Sequence, residues 1–201
     1  VQQHMEEIKP INIESTTERQ QPSVKGGVWL ATWKEESTGM SWFKHCGPSK
    51  INAVRSALLA IQTYTMVNNK IPSFVCHYGW AYSKDIEGFY EITKVIEHDM
   101  HIKDKYHTPQ DEVPGILGND RNLSCATSDS FTENFDADCL DHTAYGIAKI
   151  CAEMKIDFRC YKHLSKHRPY HQHDEWIKDC DLGASKMYEM CANKFGDILG
   201  E

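Results

Sequence analysis

The sequence predicts an α/β fold built on a mixed, mostly parallel sheet that helices cover on both faces. Three observations predict it. Short apolar runs alternate with segments of helical periodicity along most of the chain. The runs are apolar throughout, without the in–out alternation of a half-exposed sheet. The segments that follow their C-terminal ends carry the polar, glycine and aromatic residues, where open α/β sheets bind ligands.

The elements follow in order. Residues 1 to 25 are polar and lack periodicity, which predicts a flexible arm ahead of a single domain over 26–201. After Gly26-Gly27, Val28 to Thr32 reads as a buried strand running into the charged loop Trp33-Lys34-Glu35-Glu36. Gly47-Pro48-Ser49 opens a helix with Ser49 as N-cap, and Ile51, Val54, Leu58 and Ile61 form its expected apolar stripe. Pro72 to Gly79 and Glu91 to Ile96 read as strands, and residues 103–122 as a long loop. Leu123 to Ser128 is a further strand, ending at Asp129-Ser130-Phe131. A helix is expected from about Asp141 to Met154, and a strand from Ile156 to Tyr161. His163 to His173 then reads as a histidine-rich loop, before a helix from Asp174 to about Leu199 with Trp176, Leu182, Met187, Tyr188, Cys191 and Phe195 available for one face.

Composition narrows the function classes. The chain has 201 residues, 40% hydrophobic and 25% charged, which suits one globular domain. A formal net charge of −7 argues against a nucleic-acid coat or an anionic-membrane binder, both of which need a basic face. Eight cysteines include no C-x-x-C pair and several sit in apolar runs, so reduced thiols and a cytoplasmic protein are expected. No apolar run approaches a membrane span, and no signal-type apolar stretch opens the chain.

From Val28 onward the order of motifs resembles the purine nucleoside phosphorylase and nucleosidase superfamily, closest in layout to the methylthioadenosine/adenosylhomocysteine nucleosidases. Val28 to Glu36 resembles the family's first strand and acidic loop, and Gly47-Pro-Ser-Lys-Ile-Asn-Ala53 its G-x-G-K-x-N-A helix start. His77-Tyr-Gly-Trp-Ala-Tyr82 stands where the family has a G-[ST]-A-G turn. His98-Asp99 resembles the H-D ahead of its dimer-contact loop, and Ser128 to Phe131 its G-D-x-F. Asp141 to Cys151 resembles D-M-E-[GA]-Y-A-x-A-K-x-C without a gap, and Lys162 to Lys166 resembles K-x-I-S-D.

The resemblance implies a three-layer nucleoside phosphorylase-like fold, a homo-oligomer, a small-molecule nucleoside or nucleotide as ligand, and no cofactor or metal. Carried over by position, Glu35 is the carboxylate that orients the nucleophile and Phe131 the ring that stacks on the base. Trp80 replaces the Ser/Thr that touches the nucleophile beside Gly79, with Tyr82 for the following glycine. His142 and Thr143 replace the Met and Glu that hold the sugar, and Lys166 replaces the general acid. An ammonium beside a developing ribosyl cation is unfavourable, and loss of a general acid removes roughly 10²–10⁴-fold of rate; a lysine could instead bind an anion.

Two functions therefore stand open. One is a divergent N-glycosidase or phosphorylase that uses Glu35, with Lys166 on an anionic substrate. The other is a catalytically silent relative that binds or sequesters a nucleotide-like ligand, or serves as an assembly scaffold. Plainer readings accompany each residue: Glu35 as a solvated loop carboxylate, Phe131 as core, Lys166 as a surface lysine and Trp80 as packing. For His142 they are a satisfied core histidine or a replacement acid. His167 and His171 have ligand spacing only on a helix, which Pro169 between them disfavours, so the histidine-rich loop reads as solvated.

Overall fold

The computed structural model describes residues 26–99, 113–114 and 123–194. The expected N-terminal arm, most of the expected long loop, and Phe195 lie outside the described residues. The strands are β1 (Gly27–Ala31), β2 (Lys44–His45), β3 (Phe74–Tyr82), β4 (Gly88–Glu97), β5 (Val113–Pro114), β6 (Leu123–Thr127), β7 (Cys139–Asp141) and β8 (Asp157–Ser165). The helices among the described residues are α1 (Lys50–Asn68), α2 (Ala144–Met154) and α3 (His173–Lys194).

Five of the eight strand contacts are parallel, so the sheet is mixed and mostly parallel as the apolar runs predict. It is not an open layer. The path runs β2-β1-β3-β7-β6-β4-β5, and β8 joins β3 to β4, which closes β3, β7, β6, β4 and β8 into a barrel. Strand β4 makes the closure. Its first half, Gly88 to Ile92, runs antiparallel to β8, and its second half, Ile92 to Glu97, runs parallel to β6, with a register shift between Ile92 and Lys94. Helices α1 and α2 pack on one apolar surface through Ala53, Ala57, Ile61, Ile147 and Cys151. Helix α3 packs on another through Ala184, Met187 and Cys191, against Trp29, Phe74, Cys76 and Tyr78.

Four sequence expectations change. Strand β3 continues through Gly79 and Trp80 to Tyr82, where a turn was expected, because β8 pairs with it without a break from Phe74 to Tyr82. Strand β8 in turn runs to Ser165, so His163 is a buried strand residue and not part of the loop. The core face of α1 is Ala53, Ala57, Ala60 and Ile61, while Ile51 is 78% exposed. Ile61 of the expected stripe is buried, but small residues take the other core positions because α2 lies close: a Cβ on Gly146 would stand 2.9 Å from the Lys50 carbonyl and 3.3 Å from the Ala53 methyl. On α3, Trp176, Met187 and Cys191 are buried as expected, but Leu182 and Tyr188 face outward and Cys180, Gly183 and Ala184 take their place.

All eight cysteines are free and buried. No helix among the described residues is long and apolar enough to cross a membrane.

Gly146→Ala should lower stability by about 1–3 kcal/mol, because the clash is with backbone and outweighs the roughly 0.5–1 kcal/mol of helix propensity gained. Urea unfolding checks this; a gain in stability would show that the two helices can separate freely.

Candidate functional site

Two features meet at the C-terminal ends of β1, β3 and β8: a buried set of charges, and an open cavity beside it.

The buried set begins with Glu36. It lies in a 3-10 turn, Lys34–Ser37, that starts as β1 ends. Its carboxylate folds back over the start of the turn, accepting the N–H of Thr32 and of Trp33, both at 2.9 Å, in the manner of the acidic half of a capping box. Its other oxygen accepts the N–H of Trp80 at 2.7 Å. Gly79 makes room for this: a Cβ there would stand 2.9 Å from both carboxylate oxygens. Glu36 has no exposed surface.

Lys162 sits opposite Gly79 on β8 and is also fully buried. Its ammonium donates to Asp141 Oδ2 at 2.7 Å and to His77 Nε2 at 2.9 Å. His77 Nδ1 lies 3.1 Å from the Leu30 carbonyl, which can only accept, so the proton is on Nδ1 and Nε2 is the acceptor for Lys162. Thr143 Oγ1 bridges His77 Nε2 at 3.0 Å and Thr32 Oγ1 at 2.9 Å. Asp141 is completed by Thr127 Oγ1 at 2.6 Å and the N–H of Ala144 at 2.8 Å.

The protonation states follow from these contacts. Burial works against the Lys162 ammonium, but the Asp141 carboxylate outweighs it and its pKa ends raised. Burial likewise works against ionised Asp141, and the Lys162 ammonium holds it well below the usual carboxylate range. Burial and the Lys162 charge lower His77 to about 4, so it is neutral. Glu36 is pushed up to about 7, since burial outweighs the attraction of Lys162 and the three N–H donors.

The cavity holds about 300 Å³ and is lined by Ser49, Trp80, Asp129, Phe131, His142 and Arg168, with Pro48, Pro169, Tyr170 and His171 around them. Trp80, Phe131 and Tyr170 supply its aromatic lining, and further rings outside the lining pack against the first two. Trp33 stands edge-on to Trp176 at 5.6 Å and to His142 at 6.3 Å, and 6.5 Å from Trp80. Tyr82 meets Phe131 edge-on at 5.0 Å, and the Arg168 guanidinium lies 4.6 Å above the Phe131 ring. Ser49, at the place of the second glycine in the family's helix-start motif, has φ +97°. That backbone strain sits on the cavity wall, and the Ser49 hydroxyl accepts from Asn52 N.

Of the residues singled out by sequence, Trp80, Phe131 and His142 come together around the cavity. Thr143 and Gly79 lie beneath, within the buried set. Glu35 is exposed, and Glu36 next to it occupies the interior. Lys166 is exposed and pairs with Glu87 at 3.3 Å; neither Glu35 nor Lys166 lines the cavity. Phe131 is 36% exposed and not core. The residues that sequence reasoning passed over are Glu36, His77, Lys162 and Arg168. A signal existed for Lys162, which shares strand parity with the apolar Cys160 and Leu164 and so belongs to a buried face. Among the described residues no group of three or more His, Cys, Asp or Glu could hold a metal ion.

No family model matches the chain, and no curated protein matches it in sequence. Solved structures do match in three dimensions. A methylthioadenosine/adenosylhomocysteine nucleosidase from Campylobacter jejuni superposes with a TM-score of 0.65 at 15% identity, over 83% of this chain and 98% of that one. The corresponding enzyme from Colwellia psychrerythraea, solved with adenine, gives 0.64 at 13%, over 86% and 95%. Futalosine hydrolase from Helicobacter pylori gives 0.64 at 13%, over 83% and 97%. The chain has the nucleosidase fold. The motif order from Val28 onward is thus matched by the architecture of these nucleosidases, at an identity that speaks for fold alone.

Two predictions test the buried set. Lys162→Met leaves the Asp141 carboxylate buried without its counter-charge and should cost about 3–5 kcal/mol; Lys162→Met with Asp141→Asn should recover part of that loss in a double-mutant cycle. A Lys162→Met variant as stable as the parent would mean that Asp141 reaches solvent. The second concerns pH. The folded pKa of Glu36 lies above its ordinary value, so its favourable contribution is complete below about 4.5 and is lost as pH rises through about 7. The stability difference between the wild type and Glu36→Gln, from urea melts at a series of pH values, should therefore move against the wild type between these pH values and level off above. A difference that instead moves against the wild type on acidification would assign Glu36 a lowered pKa.

Proposed function

We propose that the protein binds a purine-type nucleoside or nucleotide-like ligand in the cavity lined by Trp80, Phe131 and His142, and does not cleave it. One observation carries the reading. Glu36 has no exposed surface, and both its oxygens are taken by backbone N–H groups. A base must reach the proton it removes. Glu36 does not line the cavity; Trp80 connects the two, holding the carboxylate with its N–H and lining the cavity with its ring. Asp141 is likewise committed to Lys162, Thr127 and Ala144. The half-exposed Phe131 face and the aromatic walls support a planar heteroaromatic ligand. Solved neighbours with this fold include a nucleosidase holding adenine.

Hydrolysis of an N-glycosidic bond is the second reading, and one observation favours it. The pKa of Glu36 is raised to about 7, where a general base works best at neutral pH. In that reading Trp80 moves aside and Glu36, not Glu35, orients the water.

Base release decides between them. The protein is incubated with 5′-methylthioadenosine, S-adenosylhomocysteine, futalosine and adenosine 5′-monophosphate, with and without phosphate, and free base is followed by chromatography. The expected result is binding by calorimetry with no base released. Release that is lost in Glu36→Gln and kept in Glu35→Gln would establish the second reading and overturn the first.

A further inference from the structure

Helix α1 has two apolar faces, and only one is covered among the described residues. Ala53, Ala57, Ala60 and Ile61 are buried on the side that packs on α2 and β1. Ile51, Leu58, Leu59 and Met66 form a second stripe roughly opposite, within about 100° of the helix circumference. Ile51 is 78% exposed, Leu59 50% and Met66 84%, and Leu58 is half-buried. An open groove of about 560 Å³ follows this stripe, and the described residues that line it, Ile51, Val54, Arg55, Leu58, Leu59 and Gln62, all belong to α1. Single surface apolar residues need no partner, but a contiguous row of large ones along one helix face marks an interaction surface.

The order of residues in the stripe says what fits it. Arg55 and Gln62, both exposed, interrupt the apolar row. The row reads the same from either end. Ile51 and Met66 lie equally far from the midpoint between Leu58 and Leu59, and so do Arg55 and Gln62. A two-fold interface needs this self-match, because the same surface serves both partners. An antiparallel copy with its axis at Leu58–Leu59 sets Ile51 against the partner's Met66 and Leu58 against the partner's Leu59. It sets the Arg55 guanidinium beside the carboxamide of the partner's Gln62, a donor against an acceptor. Arg55 and the partner's Arg55 then stand roughly 10 Å apart along the helices, about a Debye length at 0.1 M salt, and repel little. A parallel copy would set Arg55 directly against the partner's Arg55.

We infer that the outer face of α1 is a homodimer interface, in which two copies pack α1 against α1, antiparallel, about a two-fold axis at Leu58–Leu59. The core face of α1 is small so that α2 can approach, and the large apolar residues of the helix are kept for the second copy. This pairing is independent of what the cavity binds.

Sedimentation velocity on the full chain, over a range of concentrations, tests it, with each variant checked for folding by circular dichroism. The wild type should be a dimer that dissociates on dilution. Leu59→Glu sets two carboxylates together at the axis and should weaken the dimer at least about 100-fold. Val67→Glu should leave it unchanged, since Val67 is 78% exposed but lies about 130° round the helix from the centre of the stripe. Gln62→Glu places a carboxylate beside the partner's Arg55 and should tighten the dimer several-fold, an effect lost at about 1 M salt. If Leu59→Glu fails to fold, Met66→Lys carries the test and should weaken the dimer about tenfold. A wild type that is monomeric at every concentration overturns the inference, its face then being covered by another part of the chain or by a different partner. A dimer that survives Leu59→Glu and Met66→Lys, or that Val67→Glu breaks equally, overturns it as well. So does a Gln62→Glu dimer no tighter than the parent, because the antiparallel register would then be wrong.

Discussion

Lys162 carries an ammonium into the interior at zero exposure, and a charge so placed persists only where it is answered by charge and hydrogen bonds together. Here Asp141 supplies the charge and neutral His77 the second acceptor. The requirement propagates outward. Asp141 closes β7 and is braced by Thr127 on β6 and by the first turn of α2, so the ion pair ties two strands and a helix to β8. His77 reaches from β3 to the carbonyl of Leu30 on β1. Gly79, opposite Lys162, stays without a side chain so that the Glu36 carboxylate can occupy the same level. A barrel of mixed strand direction is thereby held at its centre by polar contacts, of which Lys162–Asp141 joins β8 to β7, two strands the backbone ladder does not pair.

The same arrangement decides what faces the cavity. With Glu36 and Asp141 committed inward, the cavity is lined by aromatic rings, by Arg168 above Phe131, and by Ser49, Asp129 and His142. Trp80 belongs to both regions, its backbone to the buried set and its ring to the cavity. Stacking on a ring face binds planar heterocycles of many kinds. The strained N-cap Ser49 fixes the edge from which α1 begins.

The fold was legible because its apolar runs lie at the right spacings: β1, β3, β4, β6 and β8 all fall where the sequence places strands. Barrel closure was not, since it depends on β4 changing partner midway, and nothing in the sequence GFYEITKVIE marks that point. The stripe on α1 misled because large apolar residues were taken for the core, when close approach to Gly146 on α2 selects alanines. Glu35 and Glu36 are adjacent, and only the 3-10 turn decides which one points inward. The strand expected to end at Tyr161 runs on to Ser165 and buries Lys162, whereas Lys166 lies on the surface with Glu87. Arg168 carried no signal, as its contact with Phe131 joins residues far apart in sequence.

The central claim is that a ligand sits on Phe131 above a carboxylate sealed from it. A crystal structure of the protein with adenosine tests this most directly. The account predicts the base against Phe131 and Glu36 still held by Thr32, Trp33 and Trp80. A structure with Trp80 turned aside and water or the ribose in contact with the Glu36 carboxylate would contradict it.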